Sequence, residues 1–258
     1  MSRLSAGRPS HQSGSLAVAR AAVVLALVAL PAAAQQNDKL ADRARRAGEV
    51  LSELVAVPDN APPTSLLAQA TCVAVVPGVV QAGFGFGGKA GYGLASCRTP
   101  NGWSWPTYVG LKGGSFGLQI GAQSADVVLI FTNEDAARVM SRSDFTLGGE
   151  ASVAAGPVGR DVSAATDYKA QAAIYSYSKS KGLFAGIKLA GTKWEIDYGA
   201  NKRAFAAEPE ARRGGSPTSV EQLLHTGGAA APAIVLPFLR SLDKNVGPGM
   251  RASSAAGR

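Results

Sequence analysis

The chain has 258 residues, 46% of them hydrophobic, and carries 26 basic against 18 acidic side chains, a net charge of +8. This length suits one ordinary domain with appendages. The basic residues are dispersed rather than gathered in one stretch, which excludes a nucleic-acid binder of the usual kind; the mild excess suits an anionic surface without requiring one.

The chain opens with Arg3, Arg8 and Arg20, continues into the apolar run AAVVLALVAL (21–30) and closes that segment on Ala32, Ala33 and Ala34. This is the order of a secretory signal peptide over 1–34, with cleavage expected between Ala34 and Gln35. The apolar run is short for a permanent membrane span. No cysteine stands near the expected cleavage site, so lipid modification there is not available, and the mature chain is expected to be exported, periplasmic or secreted. Twenty-three basic and eighteen acidic residues then remain, a net charge of +5.

From Asn37 to Val55, Leu40, Ala44, Ala47, Leu51 and Leu54 recur at spacings of three and four, which predicts an amphipathic helix. Asp38, Asp42, Glu49 and Glu53 gather on the far side, and Lys39, Arg43 and Arg46 share one flank. Two uses of this helix stay open: docking on its own domain, or contact with a membrane or partner. PDNAPP (58–63) ends it, and TSLLAQA reads as a second, short helix capped by Thr64 or Ser65.

Then the period changes. CVAVV (72–76) and SADVVLIF (124–131) read as buried strands, TPNG (99–102) as a turn, and NEDAARVMS (133–141) as a helix capped by Asn133. AAIYSYSKSKGLFAGIKLAG alternates like a hairpin turning at Ser180 to Gly182. After Phe205 the composition shifts to Ala, Pro, Gly and Arg. SVEQLLH and AIVLPFLRSL are short helical candidates there, the second broken or kinked by Pro237. The last dozen residues have the composition of a disordered end. The chain thus divides into 1–34, a domain over 35–206, and an Ala/Pro/Gly-rich tail over 207–258.

Cys72 and Cys97 are the only cysteines. In an exported chain two such residues are expected to form a disulfide, worth roughly 3 to 4 kcal/mol through the loop it closes. A catalytic or metal-binding thiol lacks a partner, since His11 falls in the signal peptide and His225 in the tail.

GFGFGGKAGYG (83–93) contains the spacings of a dinucleotide loop and, through Lys89, of a phosphate loop. Both need a helix afterwards to hold the anion, and KAGYGLASC is hostile to helix; the position after Lys89 is Ala90 rather than Ser or Thr. Nucleotide binding is therefore rejected. Alternation places Phe84 and Phe86 on one face of a strand with Gly83, Gly85 and Gly87 on the other, and GGSFGLQIG (113–121) repeats the texture. Glycine on a strand face permits a bend, a bulge or the close approach of another backbone. Two such strands predict a strongly curved antiparallel sheet.

VAVVPGVVQAGFGFGGKAGYG, GWSWPTYVGLKGGSFGLQIGAQSADVVLIF, FTLGGEASVAAGPVGR and YSYSKSKGLFAGIKLAG, in this order, resemble the SYLF domain, a lipid-binding and actin-associated module with an exported bacterial branch. The resemblance covers about Leu40 to Phe205. It implies an α+β fold: a curved antiparallel β-sandwich or barrel-like body with an N-terminal amphipathic helix and short peripheral helices. Cys72 and Cys97 fall where exported members carry a similar pair. Trp105 stands where the family usually has a small residue, which is expected to alter a local surface, and the Trp194 segment matches loosely. Eukaryotic members bind phosphoinositides, and some bind actin; for an exported chain the resemblance implies a peripheral binder of anionic phospholipid, or else an envelope module that binds a protein partner.

No constellation for catalysis emerges. Ser115 satisfies G-x-S-x-G through Gly113 and Gly117 but sits in predicted strand without the helix or histidine that a nucleophile elbow needs. Asp126, Asp144, Asp167 and Asp197 show no paired-carboxylate spacing, and Asp126 reads as a satisfied structural acid. The chain is read as non-enzymatic, without metal, cofactor or nucleotide. Lipid contact is expected through Lys39, Leu40, Arg43, Arg46, Leu51 and Leu54, with Lys89, Lys112, Arg160, Lys179 and Lys181 as a second basic patch.

Overall fold

The computed structural model describes residues 15–56, 61–133, 138, 140, 142–149, 151–158, 173–180, 183–186, 189, 191–205 and 231–248. The chain divides into an N-terminal unit, Met1–Lys39, described as helical backbone from Ser15, and a body, Leu40–Arg258. Helix α1 (Ser15–Ala56) runs unbroken through the expected cleavage site and starts well before Asn37, because the Ala- and Leu-rich run ahead of it is itself strongly helix-forming.

In the body, α2 (Thr64–Ala68) precedes β1 (Cys72–Thr99), β2 (Gly102–Trp103), β3 (Thr107–Phe131), β4 (Asp144–Thr146), β5 (Val153–Ala155), β6 (Ile174–Ser180), β7 (Leu183–Gly186) and β8 (Lys193–Ile196). Helix α3 (Tyr198–Phe205), a 3₁₀ turn (Ala233–Val235) and α4 (Leu236–Asn245) follow. The N-cap of α2 is Pro63, with no side-chain capping bond, so neither Thr64 nor Ser65 serves as the cap. Pro237 falls in the first turn of α4, where the missing N–H costs nothing, and the preceding residues tighten to 3₁₀ geometry; this is the break expected at that proline.

The sheet is organised around one long antiparallel hairpin. β1 and β3 pair from Cys72↔Phe131 to Ala95↔Thr107, and β3 pairs on its other edge with β6 near one end and β8 near the other. β4 extends the β8 edge and β7 pairs antiparallel with β6, Ser180 opposite Leu183; the turn expected at Ser180 to Gly182 lies largely outside the described residues. β5 joins β6 in parallel, the one departure from an antiparallel sheet among the named strands.

At about 3.3 Å per residue a straight hairpin of this length would hold its ends some 80 Å apart. Instead Cys72, at the start of β1, is disulfide-bonded to Cys97 near its end. The Arg98 amide donates to the Thr71 carbonyl at 2.7 Å. The hairpin therefore doubles over, curling the sheet into a half-barrel, and the expected disulfide staples its two ends. Gly91 and Gly93 lie where the end of β1 crosses its beginning. A Cβ on Gly93 would collide with the Val75 carbonyl and sit 2.7 Å from Val76 Cα; one on Gly91 would sit 2.7 Å from Val79 Cγ2. Close backbone approach, one of the uses expected of strand glycines at Gly83, Gly85 and Gly87, is met here at Gly91 and Gly93 instead. Register shifts between Val76 and Val79 and between Phe84 and Gly85 accommodate the curl. At the first, Gly78 takes φ 59° and its amide donates to Asp126 at 2.9 Å, so Asp126 is the satisfied structural acid expected. The side chains of Phe84 and Phe86 lie outside the described residues.

Strand parity sorts the core into two layers. Val73, Val75, Leu94, Tyr108, Val128 and Ile130 face the helices; Cys72, Ala74, Val76, Val109, Leu111, Val127, Leu129 and Phe131 face the inside of the curl, with Phe145 and Trp194. Trp105 is 2% exposed and stacks on Phe205 at 5.8 Å. It is a core residue and does not alter a surface, because its neighbours on α3 supply an aromatic pocket that local sequence does not reveal. The C-terminal helix is likewise part of the body: Val235, Phe238 and Leu242 are buried in the helix-side layer, although 207–258 reads as a tail.

Arg98 ties these pieces together. Its guanidinium donates to Ala70 O (2.7 Å), Leu67 O (3.3 Å), Val246 O (2.7 Å) and Pro248 O, and lies 4.7 Å from the Trp103 ring centroid. One cation thus serves the carbonyl ends of both α2 and α4, where helix dipoles favour positive charge. Asn201 plays a similar part for α3, accepting from Tyr108 N at 2.8 Å and donating to Thr107 Oγ1 and Tyr108 O.

Candidate functional site

Helix α1 has two faces with different fates. Leu40 is 3% exposed and Leu51 and Leu54 are fully buried, packed with Ala44 and Ala47 in the helix-side core. Of the two uses left open, this is docking on the domain. The correction has a simple cause: the apolar stripe covers Val73, Val75, Val128 and Ile130, so in the docked helix these leucines are not offered to a membrane.

The basic flank divides as well. Arg43 forms an ion pair with Asp197 at 3.4 Å, and its guanidinium sits between the rings of Tyr92 and Tyr108, 5.2 and 5.7 Å from their centroids. It is a strut between α1 and the sheet. Lys39 and Arg46 are exposed and have no partner among the described residues.

Of the second basic patch, the three described residues, Lys89, Lys112 and Lys179, do not come together as one free surface. Lys112 pairs with Glu195 at 2.5 Å, which holds its ammonium above the usual lysine range, and Lys179 pairs with Glu53. Lys89 stands opposite Gly113, out of phase with Lys112, so the two project from opposite faces of the sheet. Burial pushes the Lys89 ammonium pKa down. Arg160 and Lys181 lie outside the described residues.

A groove between α1 and α4 has a volume of about 460 Å³ and is lined by Arg45, Glu49, Glu53, Arg240, Lys244 and the small residues between them. A closely packed, hydrogen-bonded cluster joins the two helices there. Ser241 and Ser52 both donate to Gly48 O, at 2.7 and 2.9 Å, and Asn245 Nδ2 donates to both hydroxyls at 3.0 Å. A Cβ on Gly48 would sit 2.9 Å from Pro237 O, so glycine is needed for the crossing. On the rim, Arg45 is neutralised by Asp42 and Glu49 at 2.5 Å each, and Glu53 by Lys179. Arg240 and Lys244, one turn apart on α4, are exposed without a partner among the described residues. Sequence reasoning missed them because the segment reads as tail, although Phe238 and Leu242 at spacing four, with Arg240 and Lys244 between and beyond, is an amphipathic signal.

Among the described residues no group of His, Cys, Asp and Glu could hold a metal. Ser115 lies within β3 opposite Gly87, strand on both sides. Asp197 pairs with Arg43 and Asp144 with Lys193 at 2.6 Å, which holds the Asp144 carboxyl below its usual range; Asp167 lies outside the described residues.

The family model described as "Ysc84: Las17-binding protein actin regulator" matches residues 112–245. The SH3 domain-containing YSC84-like protein 1 of Xenopus laevis is 37% identical over 180 residues, covering 67% of this chain and 53% of that protein. The SH3 domain-containing protein PJ696.02 of Schizosaccharomyces pombe is 33% identical over 217 residues, 80% of this chain and 48% of that protein. LAS seventeen-binding protein 3 of Saccharomyces cerevisiae is 33% identical over 189 residues, 72% and 39% respectively. The chain spans about half the length of these relatives or less.

Proposed function

The chain belongs to the Ysc84 (SYLF) family, and from that premise we propose that it is a non-enzymatic binding module, exported after removal of residues 1–34, that engages anionic phospholipid surfaces electrostatically. The observation that carries this reading is the division of charge. Arg43, Arg45, Lys112, Lys179 and Lys193 are ion-paired, whereas Arg46, Arg240 and Lys244 stand exposed without a partner among the described residues. A cation near an anionic bilayer contributes roughly 1 kcal/mol, so three acting together support reversible, salt-sensitive attachment. The disulfide suits the oxidising compartment of an exported chain.

The test is co-sedimentation of residues 35–258 with anionic and neutral vesicles at low and high salt. Binding restricted to anionic vesicles at low salt, and lost on Arg46→Glu with Arg240→Glu and Lys244→Glu, is the expected outcome. A folded protein that ignores both vesicles overturns it. The Las17-binding description of the family and of its Saccharomyces cerevisiae relative favours a second reading, a protein partner, which that negative result would bring forward.

A further inference from the structure

The inside of the half-barrel carries a row of hydrogen-bond donors without acceptors, and it owes nothing to the surface cations of the preceding reading. Among the described residues, two buried side-chain polar atoms lack a partner: Thr192 Oγ1 and Trp194 Nε1. Both residues are essentially inaccessible, at 1% and 0% exposure. Folded proteins pair nearly all such groups, since leaving one unmet forfeits its hydration for nothing. That the two fall two residues apart on one strand segment, and so on one face, makes a shared cause the economical explanation.

The register supplies a third donor. Lys89 stands opposite Gly113 across the β1–β3 ladder, and the β3–β8 ladder, read one step on from Lys112↔Lys193, sets Gly113 beside Thr192. The next inward row is Gly91, Leu111 and Trp194. Gly113 leaves a notch between Lys89 and Thr192, and the lysine stem occupies it. A Cβ built on Gly113 would sit 2.9 Å from Lys89 Cε, 3.5 Å from Thr192 Cα and 3.6 Å from Gly191 O. The stem thus lies against Gly113, on the same face of the sheet as Thr192.

Lys89 has no hydrogen-bond or ion-pair partner among the described residues. Glu195 and Asp144, the acids of β8 and β4, lie on the opposite face, where Lys112 and Lys193 hold them. A partly buried lysine on the same face as an unpartnered buried hydroxyl and indole N–H, with the described acids of β4 and β8 on the other face, is a donor set suited to an oxyanion. We propose that this row binds one oxyanion, a phosphate or carboxylate group, held by Lys89 and Thr192 beside Gly113 with the Trp194 N–H as the neighbouring donor.

The experiment follows the Trp194 indole proton by NMR in the ¹⁵N-labelled full chain, assigned with Trp194→Phe. The chain is titrated with inorganic phosphate, with acetate, and with short-chain phosphatidic acid below its micelle concentration. A saturable shift is expected, with affinity about tenfold or more weaker in Lys89→Met and weakened again in Thr192→Val, the folded spectrum otherwise retained. Response to phosphate or acetate alone identifies a free anion as sufficient, and response only to the phosphatidic acid identifies a lipid headgroup; either supports the site. An indole signal unmoved by all three in the folded protein, or moved equally in Lys89→Met, overturns it and leaves a buried water as the occupant of these donors.

Discussion

The two ends of the β1–β3 hairpin and its middle share one continuous antiparallel ladder yet differ in everything else. At the ends, residues 72–76, 127–131 and 107–111 are buried on both faces, by helices on one side and by the opposite end of the same hairpin on the other. In the middle, Ala82, Gly88, Ala90, Lys112, Gly114 and Ala122 to Ser124 are exposed, and 113–125 of β3 has β1 as its only named partner strand. Backbone pairing is therefore not what distinguishes the two-sided core from the exposed middle here. Apolar side chains at both parities make the ends a two-sided core, and their replacement by glycine lets the middle turn back. The same residue type serves opposite purposes along one strand: Gly93 is obligatory for a crossing, whereas Gly114 faces open space.

The largest expected effect tests that contrast directly. Gly93→Ala places a Cβ against backbone that cannot yield, so a loss of at least about 4 kcal/mol, most of a domain's stability, is expected in urea unfolding. Gly114→Ala meets nothing within 4 Å and should be neutral or stabilising by about 0.5 kcal/mol. Equal losses at the two positions would mean that the end of β1 does not cross its beginning. The disulfide comes next. Cys72→Ser with Cys97→Ser should cost about 3 to 4 kcal/mol by freeing the 25-residue separation in the unfolded chain. An unchanged urea midpoint on reduction would show that the ends hold without the staple.

Arg98→Met removes the donors that serve the last carbonyls of α2 and α4 while keeping an apolar stem over Trp103. Because the guanidinium is only half-buried and water can reach part of the vacated space, about 2 kcal/mol is expected rather than the full penalty of a buried charge. Hydrogen exchange sharpens the test: protection should fall first in 231–248. Uniform loss of protection would instead make Arg98 part of one indivisible core.

Much of this fold was legible from local pattern. The helix stripe from Leu40 to Leu54, the strands at 72–76 and 124–131, the cysteine pair and the structural use of glycine all follow from periodicity or from the chemistry of single residues. What stayed hidden depends on contacts between distant segments. Trp105 meets Phe205 across a hundred residues, Arg98 meets Val246 across nearly a hundred and fifty, and α4 docks on α1 after a stretch whose composition suggests a tail. The site was the less legible part for the same reason. Arg43 and Lys112 look like free cations until Asp197 and Glu195 arrive from β8 and its end, while Lys89 becomes notable only when three strands set Gly113 and Thr192 beside it.

Tyr108 offers the smallest and most specific test of how the end of the hairpin grips α1. Its hydroxyl donates to Leu40 O at 3.2 Å, and burial raises its pKa beyond the ordinary phenol range, outweighing the Arg43 charge that favours the phenolate. Because the folded state resists ionisation while the unfolded chain ionises near 10, this contribution is whole below about pH 10 and is lost as pH climbs above it. Tyr108→Phe should cost about 1 kcal/mol at neutral pH, the net value of one hydrogen bond, and should flatten the decline in stability between pH 10 and 11 relative to the parent. The difference between the two chains isolates the phenol from the lysine pairs, which titrate in both. Parallel alkaline curves would show that Tyr108 ionises as freely in the fold as out of it, and that its contact with α1 opens at that pH.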